Sequence, residues 1–107
     1  MKFSEILRGL PSVDHVAALE LWDEAGQRLA VIENRTGQAG SLAVYAYLAS
    51  KYGVINLAAA NEGLSLFAEH TEHARLNPGS HPNIDRLLSL TKGGGSLRVN
   101  TLLRETH

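Results

Sequence analysis

Alternating apolar residues in the first third of the chain predict a β-hairpin. Two apolar segments, residues 16–22 and 27–33, flank the polar residues 23–26. Asp23 favours the start of a turn and Gly26 accepts a left-handed backbone, so the linker predicts a hairpin with a bulge. One face of the hairpin is predicted to carry Leu19, Leu21, Leu29 and Val31. The opposite face would carry Val16, Ala18, Trp22, Ala30 and Ile32. Because both faces are apolar, we expect helices or a second subunit to cover them.

Helical spacing of apolar residues predicts the remaining elements. We expect helices at residues 3–10, at 42–52 with Ser41 as N-cap and Gly53 as its end, at 58 to about 76, and at 84–91 with Ser80 or Asn83 as N-cap. Residues 54–57 are a candidate short strand, and residues 96–103 alternate as a half-exposed strand does.

The predicted order of elements, α-β-β-α-(β)-α-α-β, is typical of the α+β class. We expect one domain over residues 1–107, in which a small, mostly antiparallel sheet of three or four strands packs against helices. A chain of 107 residues buries roughly two thirds of its unfolded surface, which suffices for one core.

The composition excludes several classes of function. The chain has no cysteine, which rules out disulfides and thiolate catalysis and is compatible with a reducing cytosol. Its net charge is -1 and its basic residues are dispersed, so we expect no nucleic-acid partner. The longest apolar run, residues 42–49, is too short to span a bilayer, and charged Glu5 and Arg8 interrupt any N-terminal signal sequence. We therefore expect a cytoplasmic protein without a membrane segment.

Three of the five histidines lie between residues 70 and 81, and this cluster is the leading candidate for a chemical site. His70 and His73 are one helical turn apart, and the Pro78-Gly79 turn can bring His81 back beside them. Imidazole suits zinc better than calcium, so a divalent metal bound at His70, His73 and His81 would be zinc. Carboxylates at Glu69, Glu72 and Asp85 are further possible ligands or partners of the imidazoles.

Two structural interpretations compete with metal binding. Positive side chains near a helix C-terminus interact favourably with the helix dipole, and polar residues commonly form a solvated helix face. The spacing also differs from the His-Glu-x-x-His pattern of zinc proteases, in which the two imidazoles lie four residues apart.

Two glycine-containing loops are weaker candidates for anion binding. The loop from Thr36 to Ser41 leads from a strand into a helix N-terminus, where backbone N–H groups are available, but it lacks the lysine of a P-loop. The loop at residues 92–96 is a conceivable phosphate cradle, although a flexible linker is the simpler interpretation.

The segments LELWDEAG (residues 19–26) and EHTEHARLNPGSHPNIDRLL (residues 69–88) resemble a family of small bacterial proteins described as a domain of unknown function. The resemblance extends over nearly the whole chain. It implies a bacterial, cytosolic, single-domain protein, and it implies no activity, substrate or cofactor.

The sequence therefore favours a non-enzymatic module that binds itself or another protein. No strong catalytic motif is present, and the hairpin and the helix at residues 42–52 have surplus apolar surface. We expect a homodimer with Trp22, Ala30, Ile32 or Tyr47 in its interface. The alternative is a small metal-binding protein or metal-dependent enzyme that uses the three histidines.

Overall fold

A computed structural model describes residues 1–105, which form five helices and a three-stranded antiparallel sheet. The elements in chain order are α1 (Phe3–Gly9), β1 (Val16–Trp22), β2 (Arg28–Glu33), α2 (Ala39–Tyr52), α3 (Leu57–Leu66), α4 (Glu69–Leu76), α5 (Pro82–Thr91) and β3 (Arg98–Leu103). The predicted α+β class is thereby confirmed. No helix within this range is long and apolar enough to cross a membrane.

The sheet has the order β2-β1-β3, with β1 antiparallel to both neighbours. The predicted turn joins β1 to β2: the Gln27 N–H donates to a carboxylate oxygen of Asp23 at 2.8 Å, and Gly26 has φ +84°. The bulge follows at once, because Leu21 pairs with Ala30 whereas Trp22 pairs with Arg28. Leu29 is thus the extra residue of β2.

This register corrects the predicted faces of the hairpin. Leu19 and Leu21 lie opposite Ile32 and Ala30, and these four residues share the inner face, which packs against α2. Ile32 is only 1% exposed, so it is unavailable for the subunit interface in which it was expected. Val31 is 40% exposed on the opposite face. Of the two covers predicted for that face, helices or a second subunit, no helix within residues 1–105 takes the place. Ala18 on that face is nevertheless only 8% exposed and Trp22 is half-buried.

The long helix predicted from residue 58 to about residue 76 is two helices, α3 and α4. The break falls at Ala68, whose φ of +51° is unusual for a residue with a side chain. In an unbroken helix the Leu64 carbonyl would accept the Ala68 N–H. Here the Ala68 N–H donates to Ser65 instead, and the buried Thr71 hydroxyl donates to Leu64 at 2.6 Å. Thr71 therefore satisfies the carbonyl that the break releases.

Two predicted helix starts are also wrong. Helix α2 begins with Gln38 as N-cap and α5 with His81, so neither Ser41, Ser80 nor Asn83 is a cap. The end of α2 at Gly53 is confirmed, with φ +80°. The candidate strand at residues 54–57 is a single bridge between Ile55 and Leu97. Buried residues of the sheet's inner face and of α2, α3 and α5 join in one core.

Candidate functional site

The reversal between α4 and α5 brings two of the three predicted histidines into contact. The Nδ1 atom of His73 lies 2.8 Å from the Nε2 atom of His81, and the ring centroids are 4.9 Å apart, edge to face. One imidazole must donate and the other accept, so the pair shares one hydrogen bond when both rings are neutral. The predicted reversal of the chain at Pro78-Gly79 is therefore confirmed.

A network of hydrogen bonds fixes this reversal. Gly79 has φ +92°, and its N–H donates to the Asp85 carboxylate at 2.9 Å. The Ser80 hydroxyl donates to the Asn77 carbonyl at 2.7 Å, and the Asn77 amide donates to the His73 carbonyl at 3.0 Å. Asp85, one of the possible ligands or partners of the imidazoles, thus bonds to the backbone of the turn.

His70 lies beside this pair but is held by a different neighbour. Its ring centroid is 5.1 Å from that of Phe3 and 5.7 Å from that of His81. The adjacent Glu69 accepts the Phe3 N–H at 2.8 Å, and this bond lowers the pKa of Glu69 from its ordinary 4.5. Within residues 1–105, no three histidine, aspartate or glutamate side chains converge as a preformed metal site.

A cleft of about 430 Å³ is lined by residues of two predicted candidate sites, the histidine cluster and the glycine-containing segment from Thr36 to Ser41. His70, His81, Gly37 of the loop before α2 and residues 39–41 of the first turn of α2 line it, as do apolar residues of α1 and α5. Phe3 stacks on Phe67 at 5.3 Å and forms part of the wall. No periodic or motif signal connects residues so distant in the chain, so this site was missed until the tertiary structure placed them together.

The loop at residues 92–96 is not an open phosphate cradle. The N–H and hydroxyl of Ser96 donate to one oxygen of Glu24, at 2.9 and 3.1 Å. A Cβ added at Gly95 would approach the same oxygen to 2.8 Å. A carboxylate of the hairpin turn therefore already occupies the donors that an anion would need.

The open side of the sheet is a second candidate surface, and we call it the outer sheet face. It carries side chains from all three strands: Ala18, Glu20, Trp22, Arg28, Val31, Glu33, Arg98, Asn100 and Leu102. Glu20 at its centre accepts from Asn100 at 2.8 Å and from Arg28 at 2.9 Å. These two bonds lower the pKa of Glu20, so the carboxylate stays charged and paired in the middle of the surface.

Trp22 and Tyr47, the two aromatic residues expected at an interface, lie in different surroundings. Trp22 is half-buried on the outer sheet face, whereas Tyr47 is half-buried on α2, where the Lys51 ammonium lies 5.8 Å from its ring centroid. Tyr45, two residues earlier on the same helix, is fully buried. An interface formed by the outer sheet face alone would therefore include Trp22 but not Tyr47.

Comparison with known proteins identifies a family but no activity. A family model described as "Uncharacterized protein conserved in bacteria (DUF2322)" matches residues 3–101. This match confirms the resemblance noted from the sequence. No curated protein and no solved structure is similar enough to count as a match.

Proposed function

The chain belongs to the DUF2322 family of uncharacterised bacterial proteins, and from its geometry we propose that it is a non-enzymatic module that forms a homodimer through the outer sheet face. The observation that carries the proposal is the uncovered side of the sheet. Val31 and Leu102 are each 40% exposed there, and the bulge residue Leu29 on the edge strand β2 is 49% exposed. Apolar side chains grouped on an uncovered sheet are typical of an interaction surface. We propose that the dimer forms in the cytoplasm, because its reducing conditions suit a chain without cysteine.

The second copy is the favoured occupant because the two ends of the outer sheet face complement each other. Three rows cross the strands: Arg28, Trp22 and Arg98 at one end, Val31, Glu20 and Asn100 in the middle, and Glu33, Ala18 and Leu102 at the other end.

In the proposed dimer, a two-fold axis lies in the plane of the interface, perpendicular to the strands, and follows the middle row. It places the first row of one copy over the third row of the other. Arg28 of each copy then lies over Glu33 of the other, and the large Trp22 lies over the small Ala18. Glu20 falls on the axis, where Arg28 already balances its charge and the Asn100 amide donates a hydrogen bond to it. The pairs Arg28 with Glu33 and Trp22 with Ala18 therefore suit a symmetric dimer, and the third pair places Arg98 over Leu102.

The size of the surface predicts a weak dimer. Three strands of six or seven residues cover about 20 Å by about 14 Å, at about 3.3 Å per residue and about 4.8 Å between strands. This flat area of roughly 300 Å² is well below the roughly 800 Å² per partner of a standard interface. We therefore expect dissociation in the micromolar range or weaker.

Sedimentation equilibrium between about 10 and about 300 µM protein tests the proposal in the range that this small interface implies. The apparent mass should rise from 11.6 kDa towards twice that value. Val31→Lys should keep the protein monomeric, because the new ammonium would lose its water in the interface. Leu76→Lys is the matched control, since Leu76 is 72% exposed on α4, away from the sheet. A wild type that stays at 11.6 kDa, or a control as monomeric as Val31→Lys, would refute the proposal.

Zinc binding is a second candidate function, and the contact between His73 and His81 favours it. With Zn–N bonds of about 2.0–2.1 Å, two nitrogens on a tetrahedral ion are about 3.4 Å apart. The ring nitrogens of His73 and His81 are 2.8 Å apart. An increase of roughly half an ångström in this distance would therefore allow both nitrogens to bind the ion. His70 is the third ligand in this proposal, after a rotation towards His81.

Calorimetric titration with zinc, on protein without a histidine tag, tests this second function. His70→Ala and His73→Ala should each lower the affinity about tenfold or more, and His15→Ala, which removes an exposed histidine elsewhere, should leave it unchanged. Binding should also weaken on acidification to about pH 5, because a protonated imidazole has no lone pair for the metal. The absence of heat in the wild type, or equal heats in all variants, would refute zinc binding. The contact between His73 and His81 would then serve only to stabilise the turn between α4 and α5.

A further inference from the structure

The cleft between α1, α2, α4 and α5 combines an apolar wall with a polar edge. Phe3, Leu7, Phe67 and Ile84 supply the apolar side, where the ring of Phe3 stacks on that of the buried Phe67. An apolar wall that includes an aromatic ring accommodates an aromatic ring or a branched hydrocarbon.

Gly40 determines the shape of this wall. A Cβ added at Gly40 would approach Phe3 Cε2 to 3.1 Å and Leu7 Cδ1 to 3.4 Å. The glycine thus allows α1 to lie close against the first turn of α2, where the ring of Phe3 packs against Gly40. The volume of about 430 Å³ lies within the range of roughly 300–1,000 Å³ seen for small-molecule sites.

The polar edge of the cleft offers hydrogen-bond donors and no acidic side chain. Among the residues that line it, the titratable ones are His70 and His81. The His70 ring makes ring contacts but no hydrogen bond within residues 1–105, and His81 uses one ring nitrogen on His73. The Ser41 hydroxyl likewise makes no hydrogen bond within the described chain and lines the same edge. The carboxylate of Glu69, next to His70, already accepts the Phe3 N–H at 2.8 Å, and no acidic side chain of residues 1–105 lines the cleft itself. The donors of the edge therefore favour an anionic group over a cationic one.

We propose that this cleft binds a small monocarboxylic acid with an aromatic or branched apolar body. The body lies against Phe3 and Phe67, and the carboxylate accepts hydrogen bonds from His70, His81 and Ser41. The apolar wall and the imidazole edge are both required, so neither charge alone nor a hydrocarbon alone satisfies the site. This site shares no residue with the outer sheet face, and its test is therefore independent of the homodimer.

Chemical-shift titration of backbone amides, with a chelator present to exclude metal, tests the proposal using benzoate as the probe. Benzoate should bind with a dissociation constant on the order of 1 mM and shift amides of the cleft residues. Benzamide keeps the ring without the charge, and acetate keeps the charge without the ring. Each should bind at least about tenfold more weakly than benzoate.

Variants identify the groups responsible. His70→Ala and Ser41→Ala should each weaken benzoate binding several-fold, whereas His15→Ala should bind as the wild type does. Ser41→Ala removes one oxygen from a half-buried residue, so it keeps the test valid even where a histidine variant loses its fold. The proposal is overturned by equal affinity for benzoate and benzamide, by shifts that map outside the cleft, or by no saturable shift at all. Unchanged binding in both His70→Ala and Ser41→Ala would also overturn it.

Discussion

Replacement of Gly63 by alanine tests whether the contact of α3 with α2 and α5 is as close as the structure indicates. Gly63 is buried, and a Cβ at this position would lie 2.7 Å from Leu87 Cδ1 and 2.8 Å from Leu48 Cδ1. Real Cβ atoms do not approach other carbons so closely, so both leucine side chains would have to move. Both are fully buried, which leaves them little room to do so.

Two opposing effects determine the sign of the change in stability. Alanine is favoured over glycine inside a helix by about 1 kcal/mol, because glycine loses more backbone entropy on folding. Overpacking of a core typically costs about 1–3 kcal/mol. Since two leucines are displaced rather than one, we expect the upper part of that range. The net effect is a loss of about 1–2 kcal/mol in the free energy of unfolding.

Urea unfolding followed by circular dichroism measures this difference. Gly9→Ala is the control for a glycine-to-alanine change without overpacking. Gly9 is the last residue of α1, and a Cβ there meets nothing within 4 Å. Adding Leu87→Val to Gly63→Ala removes the overlapping methyl group, so the double variant should lose about 1 kcal/mol less than the sum of the single losses. A Gly63→Ala protein as stable as the wild type, or fully additive losses, would refute the reasoning.

Two further predictions concern buried or bridging hydrogen bonds. The Tyr45 hydroxyl donates to the Asn83 carbonyl at 2.5 Å, so Tyr45→Phe should cost about 1–2 kcal/mol in a urea melt. Burial raises the pKa of Tyr45 to about 12 from 10.0, so the wild type should lose stability from pH 10 to about 12, and Tyr45→Phe should lack that loss. The pKa of Glu69 is lowered by its bond from the Phe3 N–H, so its stabilising effect is present above about pH 4.5 and disappears as the pH falls below it. In pH-dependent thermal melts, Glu69→Ala should therefore destabilise the protein at pH 7 more than at pH 3. A pH-independent effect of Glu69→Ala would contradict this assignment.

Local signals in the sequence predicted most elements of the fold. Strand β1 matches its predicted bounds, and the Asp23 to Gly26 turn forms because both its side-chain acceptor and its left-handed glycine are encoded locally. The end of α2 at Gly53 and the reversal at Pro78-Gly79 were predictable for the same reason. Each depends on backbone preferences of a few adjacent residues.

The faces of β2 were not predictable in this way. Leu29 and Val31 alternate with Ala30 and Ile32, so apolar residues occur on both sides of the strand. Only the bulge at Leu29, set by pairing with β1, determines that Ile32 points to α2 and Val31 to the outer sheet face. A shift of one residue would have exchanged the two sides.

The break between α3 and α4 also depended on distant residues. Residues 64–69 contain neither glycine nor proline, and their periodicity continues that of a helix. The backbone of Ala68, with φ +51° and ψ -120°, is rarely adopted by a residue with a side chain and costs roughly 1–3 kcal/mol. Contacts made only in the folded protein offset this cost, namely the stacking of Phe67 on Phe3 and the bond from Thr71 to Leu64.

For the candidate sites, the sequence by itself determined which chemistry was available, and the tertiary structure decided where it lies. The sequence contained the three histidines and the turn that brings His81 back towards α4. It could not indicate that His73 would pair with His81, or that His70 would turn towards Phe3 and a cleft shared with α2. Backbone preferences and helical periodicity act over a few residues and can be read along the chain. Side-chain contacts between distant segments depend on how the helices and the sheet pack, and that packing is a property of the whole core.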